Sequence, residues 1–250
     1  MDLELEGKTA LVTGGSAGLG RAIAAGLAGE GVRLCIAARR PEMLEDAAGE
    51  LAAISGKRPV LVQADMMEKG AAVRLAEEAI RGLGHVDILV NSAGVGRPVK
   101  LDTPEETWDE VIMMNFTSRR QLIQALLPRM MERGWGRIIN ITGGSEPTKI
   151  NAGFSGKAAL QAWCKGVSRE VGKHGITINA VAPGRLLSEQ AYRRYTEEER
   201  AAFAAKEVPV GRLGYPGELA NVAVFLASPK ASYVTGAVVP VDGGMRRYAF

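Results

Sequence analysis

The residues best suited to chemistry are a glycine-rich run, an arginine pair and one lysine. The run Thr13-Gly14-Gly15-Ser16-Ala17-Gly18-Leu19-Gly20 follows an apolar segment and opens a helical one. Glycines there allow a tight turn, and the unpaired N–H groups at the helix start suit a pyrophosphate. Alone, such a cluster also fits a plain strand-to-helix turn. Its place after the first strand of a βαβ pattern favours the dinucleotide reading. The second apolar segment ends at Ala37-Ala38-Arg39-Arg40. An acidic residue at that point holds a ribose 2′-hydroxyl, whereas an arginine suits the 2′-phosphate of NADP. Arg39 is the first choice for that contact, with Ser16 and Arg40 as neighbours, and Asp65 is expected by the adenine edge.

Composition excludes several other chemistries. The chain has 250 residues and only two histidines, His85 and His174. A His-rich metal centre is therefore not expected, and a hydrolase triad would have to use one of these two. Aromatic residues make up 5% of the chain, which argues against a base-stacking platform for nucleic acid. A net charge of +3 without a long basic run leaves little for counterion-driven binding, so no nucleic-acid partner is expected. Cys35 and Cys164 have no CxxC spacing and read as buried thiols of a reducing compartment. The opening Met1–Glu6 is acidic where a secretion signal would be basic and then apolar. With no apolar run of about 18 residues, the expectation is a cytoplasmic protein with no membrane partner.

Short apolar runs alternate with helical stretches to position these groups. Strands are predicted at Lys8–Thr13, Val32–Ala38, Pro59–Ala64, Val86–Asn91, Arg137–Thr142, Thr177–Ala182 and Ala237–Val241. Helices are predicted at Gly18–Glu30, from Pro41, at Glu68–Leu83, around Pro104–Asn115 and Phe116–Arg133, near Gly153–Lys173, and near Pro216–Ala227. The strands are nearly all apolar rather than alternating, as expected for burial on both faces. Such alternation predicts a single-domain α/β chain with a doubly wound Rossmann fold. Its central, mostly parallel sheet of about seven strands carries helices on both faces.

The chain resembles the short-chain dehydrogenase/reductase family, in its ordinary branch of roughly this length. The resemblance rests on the Thr13–Gly20 turn, Asn91-Ser92-Ala93-Gly94, Asn115, Pro183-Gly184, Gly211-Arg212-Leu213-Gly214, Val234-Thr235-Gly236 and Val241-Asp242-Gly243-Gly244, in the family's order. It implies NADP(H), in preference to NAD, bound by Gly14, Ser16, Gly18, Leu19, Gly20, Arg39, Arg40, Asp65, Met66, Asn91, Ala93, Gly94, Lys157, Pro183, Gly184, Leu186 and Ser188. It also implies a substrate lid over about residues 186–210, a small-molecule substrate and a homotetramer or homodimer.

The family works with serine, tyrosine and lysine plus an asparagine. Here Lys157 and Asn115 match, but Gly153 stands four residues before Lys157, where the tyrosine is expected, and Gly143 falls at the serine position. No tyrosine occurs before Tyr192. A positioned general acid is typically worth about 10²–10⁴ in rate. Its absence implies an atypical active site with Asn115, Lys157, Gly143, Gly153, Ser145 and Glu146 as its candidate catalytic-site residues. The two glycines predict a pocket enlarged beside the nicotinamide, and Gly143→Ser with Gly153→Tyr is expected to create weak ketoreductase activity. Tyr192 and Tyr195 offer a displaced phenol, with packing within the lid as the plainer reading. Lys157 either anchors ribose hydroxyls or, if burial lowers its pKa, acts as a base itself. Arg97, Lys149 and Arg185 follow strand ends and point to an anionic substrate.

Three functions follow. The favoured one is an NADP(H)-dependent oxidoreductase acting on a small carbonyl, enone or acyl thioester with a displaced proton donor. The alternatives are a non-redox lyase, dehydratase or retro-aldol enzyme on the same fold, and a catalytically inactive cofactor-binding partner subunit.

Overall fold

The seven strands among the described residues lie in one parallel sheet of order β3-β2-β1-β4-β5-β6-β7. The structure, a computed structural model, describes residues 1–143 and 149–248, and at position 190 the backbone alone. The strands are β1 (Thr9–Thr13), β2 (Arg33–Ala38), β3 (Val60–Gln63), β4 (Ile88–Asn91), β5 (Gly136–Ile141), β6 (Ile176–Pro183) and β7 (Val238–Val241). Every residue of β1, β4 and β5 is buried, which accounts for their largely apolar, non-alternating character.

Between and after the strands come α1 (Gly18–Gly29), α2 (Pro41–Ser55), α3 (Ala71–Leu83), α4 (Glu105–Ile112), α5 (Ser118–Arg133), α6 (Ala152–Val171), α7 (Glu189–Arg194), α8 (Glu197–Glu207) and α9 (Pro216–Ala227). One core, with Ile23, Leu27, Leu51, Leu219 and Ala223, joins α1, α2 and α9 to one face of the sheet. A second, with Leu75, Leu122, Ile123, Leu126 and Leu160, joins α3, α5 and α6 to the other face. The expected doubly wound architecture is present.

Local differences from the sequence expectation have identifiable causes. The third helix starts at Ala71 because Gly70 before it takes a left-handed conformation (φ 78°). The two helices expected around Pro104–Asn115 and Phe116–Arg133 are joined by a π-helical turn at Met113–Thr117 rather than by a break. Such turns occur frequently at functional sites. The polar stretch after Ser188 folds into α7 and α8, each started by a side-chain cap, from Ser188 and Thr196.

The sheet order reverses between β2 and β4, on either side of β1, so the crevice above the carboxyl ends of β1 and β4 is the switch point where ligands bind in this architecture. Thr13 ties its walls together. The Thr13 hydroxyl donates to Val90 O at 3.4 Å and accepts from the Ser92 and Ala93 N–H groups at 3.1 and 3.2 Å.

Candidate active site

A cleft of about 720 Å³ runs along the carboxyl ends of the strands. Of the residues predicted to bind cofactor, Gly14, Ser16, Gly18, Leu19, Arg39, Arg40, Met66, Ala93, Gly94, Lys157, Pro183 and Ser188 line it. Gly20, Asp65, Asn91, Gly184 and Leu186 are not among its lining residues. Gly20 packs its Cα face on Gly14 O, and the Asp65 carboxylate accepts from the Met67 N–H at 3.0 Å. The buried Asn91 donates to Asn140 Oδ1 at 3.0 Å.

The phosphate end has the features a dinucleotide requires. Gly14 has φ 67°, and a Cβ there would lie 3.0 Å from Ala93 N. Gly18, at φ 54°, has open space where a side chain would stand. Ala17 starts α1 with no side-chain cap, so the first-turn N–H groups remain available to an anion. Arg39 and Arg40 are exposed, and neither guanidinium has an ion-pair partner among the described residues. This arrangement fits a nucleotide carrying a ribose phosphate.

At the other end, two elements meet over the start of α6. The segment after β4 pairs with the segment before α6 through an antiparallel bridge, Pro98 to Asn151. The Ala152 N–H donates to Arg97 O at 3.1 Å. The Asn151 side chain caps α6 by accepting the Gly153 N–H at 2.9 Å. Asn115, fully buried in the π-helical turn, is locked onto the same loop. It accepts the Val95 N–H at 3.1 Å and donates to Val95 O at 2.9 Å.

This packing corrects the expectation of a pocket enlarged at both glycines. A Cβ on Gly153 would lie 2.7 Å from Val95 O and 3.1 Å from Gly96 Cα, so backbone already fills that place. A Cβ on Gly143 would make only ordinary contacts, 3.4 Å to the Phe154 ring and 3.6 Å to Lys157 Cδ. Ser145 and Glu146 lie outside the described residues.

Of the nearby hydroxyls, Thr142 lines the cleft but is engaged. It donates to Val181 O at 3.3 Å and accepts from Gln161 Nε2 at 2.9 Å. Tyr192 and Tyr195 do not line the cleft. Tyr192 stacks under Arg200, and Tyr195 under Arg185 at 4.8 Å. Arg97, Lys149 and Arg185 do not converge on the cleft as an anionic-substrate site would require. Arg97 pairs with Glu110 at 2.8 Å, Arg185 is held between Tyr195 and Phe203, and Lys149 is exposed.

Lys157, half-buried on α6, lines the cleft with no hydrogen-bond or ion-pair partner among the described residues. Burial, reinforced by the positive charge of Arg119, pushes its ammonium down to about 8. Arg119 was missed in the sequence reading. It is 2% exposed and lines the cleft. The available signal was its spacing, since Asn115, Arg119, Leu122, Ile123 and Leu126 share one helix stripe. Glu189, Arg193 and Arg194 also line the cleft from α7. Cys35 and Cys164 are buried free thiols, both pushed up to about 12 by desolvation. Among the described residues, no group of three His, Cys, Asp or Glu side chains is placed to hold a metal.

A parallel doubly wound sheet with a phosphate-accepting glycine turn at its switch point defines a dinucleotide-binding protein. The chain belongs to the short-chain dehydrogenase/reductase family of oxidoreductases; the family model described as enoyl-(acyl carrier protein) reductase matches residues 14–246. It is 39% identical over 249 residues to the 3-oxoacyl-[acyl-carrier-protein] reductase FabG of Escherichia coli (strain K12), covering 97% of this chain and 99% of that one. Its fold is similar to that of L-sorbose reductase from Gluconobacter frateurii complexed with NADPH and L-sorbose. That match has a TM-score of 0.93 and 31% identity, over 100% of both chains. It is also similar to the Pseudomonas aeruginosa RhlG/NADP active-site complex, at TM-score 0.89 and 34% identity, over 98% of both chains. No helix among the described residues is long and apolar enough to cross a membrane.

Proposed function

We propose that this chain is an NADP(H)-dependent oxidoreductase acting on a small carbonyl, enone or acyl-thioester substrate, with Lys157 moving the proton that the family's tyrosine otherwise moves. The cofactor is NADP(H). The α1 N-terminus and Gly14–Gly18 hold its pyrophosphate, Arg39 with Ser16 and Arg40 holds the 2′-phosphate, and Ala93–Gly94 borders its nicotinamide half. Bound there, NADPH supplies a hydride.

The observation that carries the reading is the amine of Lys157 on the cleft wall, which has no partner among the described residues. Gly153 has no hydroxyl to offer, and Thr142 is already engaged. In reduction the Lys157 ammonium gives its proton to the substrate oxygen and becomes an amine. In oxidation the amine takes that proton back. A value of about 8 leaves both forms accessible near neutral pH, as acid–base work requires. Asn115 holds the Val95 loop that borders the site. The segment 186–210 serves as a cover, a role supported by Ser188, Glu189, Arg193 and Arg194 on the cleft wall.

The test is NADPH consumption across ketones, enones and acyl thioesters, with NADPH binding measured separately by its fluorescence. Substrate-dependent consumption is the expected result. Binding without consumption on any of the three classes overturns the reading.

A further inference from the structure

Arg119 is the most deeply placed charge in the cleft. It stands on α5, and its guanidinium bridges the diverging ends of β4 and β5. Nε donates to Ala93 O at 2.9 Å, Nη2 donates to the same oxygen, and Nη1 donates to Ile141 O at 2.7 Å. A Cβ on Gly94 would strike Arg119 Nη2 and lie 2.8 Å from Asn115 Oδ1. Three of the five N–H bonds of the guanidinium are thereby used, leaving two. No carboxylate among the described residues pairs with Arg119 or with Lys157.

Two neighbouring cations withdrawn from water without a counter-charge are costly. The carbonyl dipoles offset part of the charge on Arg119, and nothing among the described residues offsets that on Lys157. Both groups stand at strand carboxyl ends, where ligands bind in open α/β sheets. Arg119 keeps its proton through the neutral range, because burial lowers it only to about 10.

We propose that Arg119 and Lys157 form a two-cation floor that receives one anionic oxygen group of the substrate. That group is either a permanent carboxylate or the oxygen that takes up charge as hydride adds to its carbon. In the second case, the C=O π pair moves to oxygen as the C–H bond forms. Lys157 then protonates the oxygen while Arg119 stays charged. The inference rests on the oxidoreductase reading for its second source but not for its first.

The experiment titrates the full chain, loaded with NADP⁺, with acetate at constant ionic strength. Wild type is compared with Arg119→Met and Arg119→Lys, and turnover of a carbonyl substrate is followed in parallel. Acetate binding that weakens by about 10-fold or more in Arg119→Met, and partly recovers in Arg119→Lys, identifies a carboxylate subsite. No acetate binding, with kcat about 10-fold or more lower in Arg119→Met at unchanged NADPH affinity, identifies the reaction oxyanion. Acetate affinity and kcat both within about 2-fold of wild type in Arg119→Met overturn the proposal. So does absent acetate binding with undiminished turnover. If Arg119→Met does not fold, Lys157→Met, at a half-buried position, gives the same reading, and unchanged acetate affinity and kcat in that variant overturn the proposal. Acetate binding through Arg119 without NADPH consumption sinks the oxidoreductase reading and leaves the anion floor standing.

Discussion

The Cα of Gly153 sits against the carbonyl of Val95 so closely that a Cβ would approach that oxygen to 2.7 Å. Backbone, not open space, fills the position four residues before Lys157. Gly153→Ala is therefore expected to lower stability by about 1–3 kcal/mol through overpacking, whereas Gly143→Ser, which meets only ordinary contacts, stays within about 1 kcal/mol. Gly153→Tyr with Gly143→Ser is expected to destabilise the chain and to yield no ketoreductase gain, contrary to the sequence expectation. Thermal unfolding together with a ketone assay checks both statements.

Asn115 and Val95 exchange two hydrogen bonds inside the protein. Asn115→Ala leaves both Val95 main-chain groups without that partner, at an expected cost of about 1–3 kcal/mol each when they stay buried. Hydrogen exchange at Val95 and Gly96 should speed up, and turnover should fall with the loosened cleft wall. Unchanged exchange at Val95 would contradict this role.

Arg39 stands exposed beside the glycine turn with no ion-pair partner among the described residues. A charge-assisted bond to a ribose phosphate is worth about 1.5–3 kcal/mol. Arg39→Ala should therefore weaken NADPH binding by about 10- to 100-fold and NADH binding far less. Fluorescence titration with the two cofactors measures the ratio, and equal losses for both would place the 2′-phosphate elsewhere.

Asp87 provides a contrast at the opposite end of the sheet. Its buried carboxylate accepts from the Thr9 N–H and hydroxyl at 3.1 and 3.3 Å and contacts His85 at 3.2 Å and Arg133 at 3.7 Å. Asp87→Ala strands these groups and should cost about 2–4 kcal/mol while leaving NADPH affinity unchanged. Denaturant unfolding and cofactor titration on the same variant separate the two effects.

The architecture was legible because strands buried on both faces read as continuous apolar runs, and Gly14 and Gly18 mark a turn that other residues adopt only with strain. The candidate phosphate end was read by the same local rules: Arg39 and Arg40 directly follow β2, which pairs with β1. The reactive end was only partly legible. Lys157 stood out through its motif, but the contact between Val95 and Gly153 depends on a bridge between Pro98 and Asn151, which no local periodicity reveals. Arg119 was hidden because a charged residue within a helix ordinarily faces solvent. Its burial becomes sensible only once Ala93 and Ile141 are brought to either side of it. Arg97, Lys149 and Arg185 misled for the converse reason: proximity to strand ends in sequence did not set their partners in space.

Proton transfer by Lys157 is the central proposal, and the pH dependence of NADPH-driven reduction by the full chain, beside Lys157→Met, tests it most directly. The ammonium is the donor, so kcat for reduction should be level below about pH 8 and fall as pH rises through that value, with oxidation rising over the same window. Lys157→Met should lose about 10²–10⁴ in kcat and the pH break, with NADPH binding confirmed by fluorescence. A wild-type profile flat from pH 6 to pH 10, or a Lys157→Met variant that keeps wild-type turnover, would contradict the account.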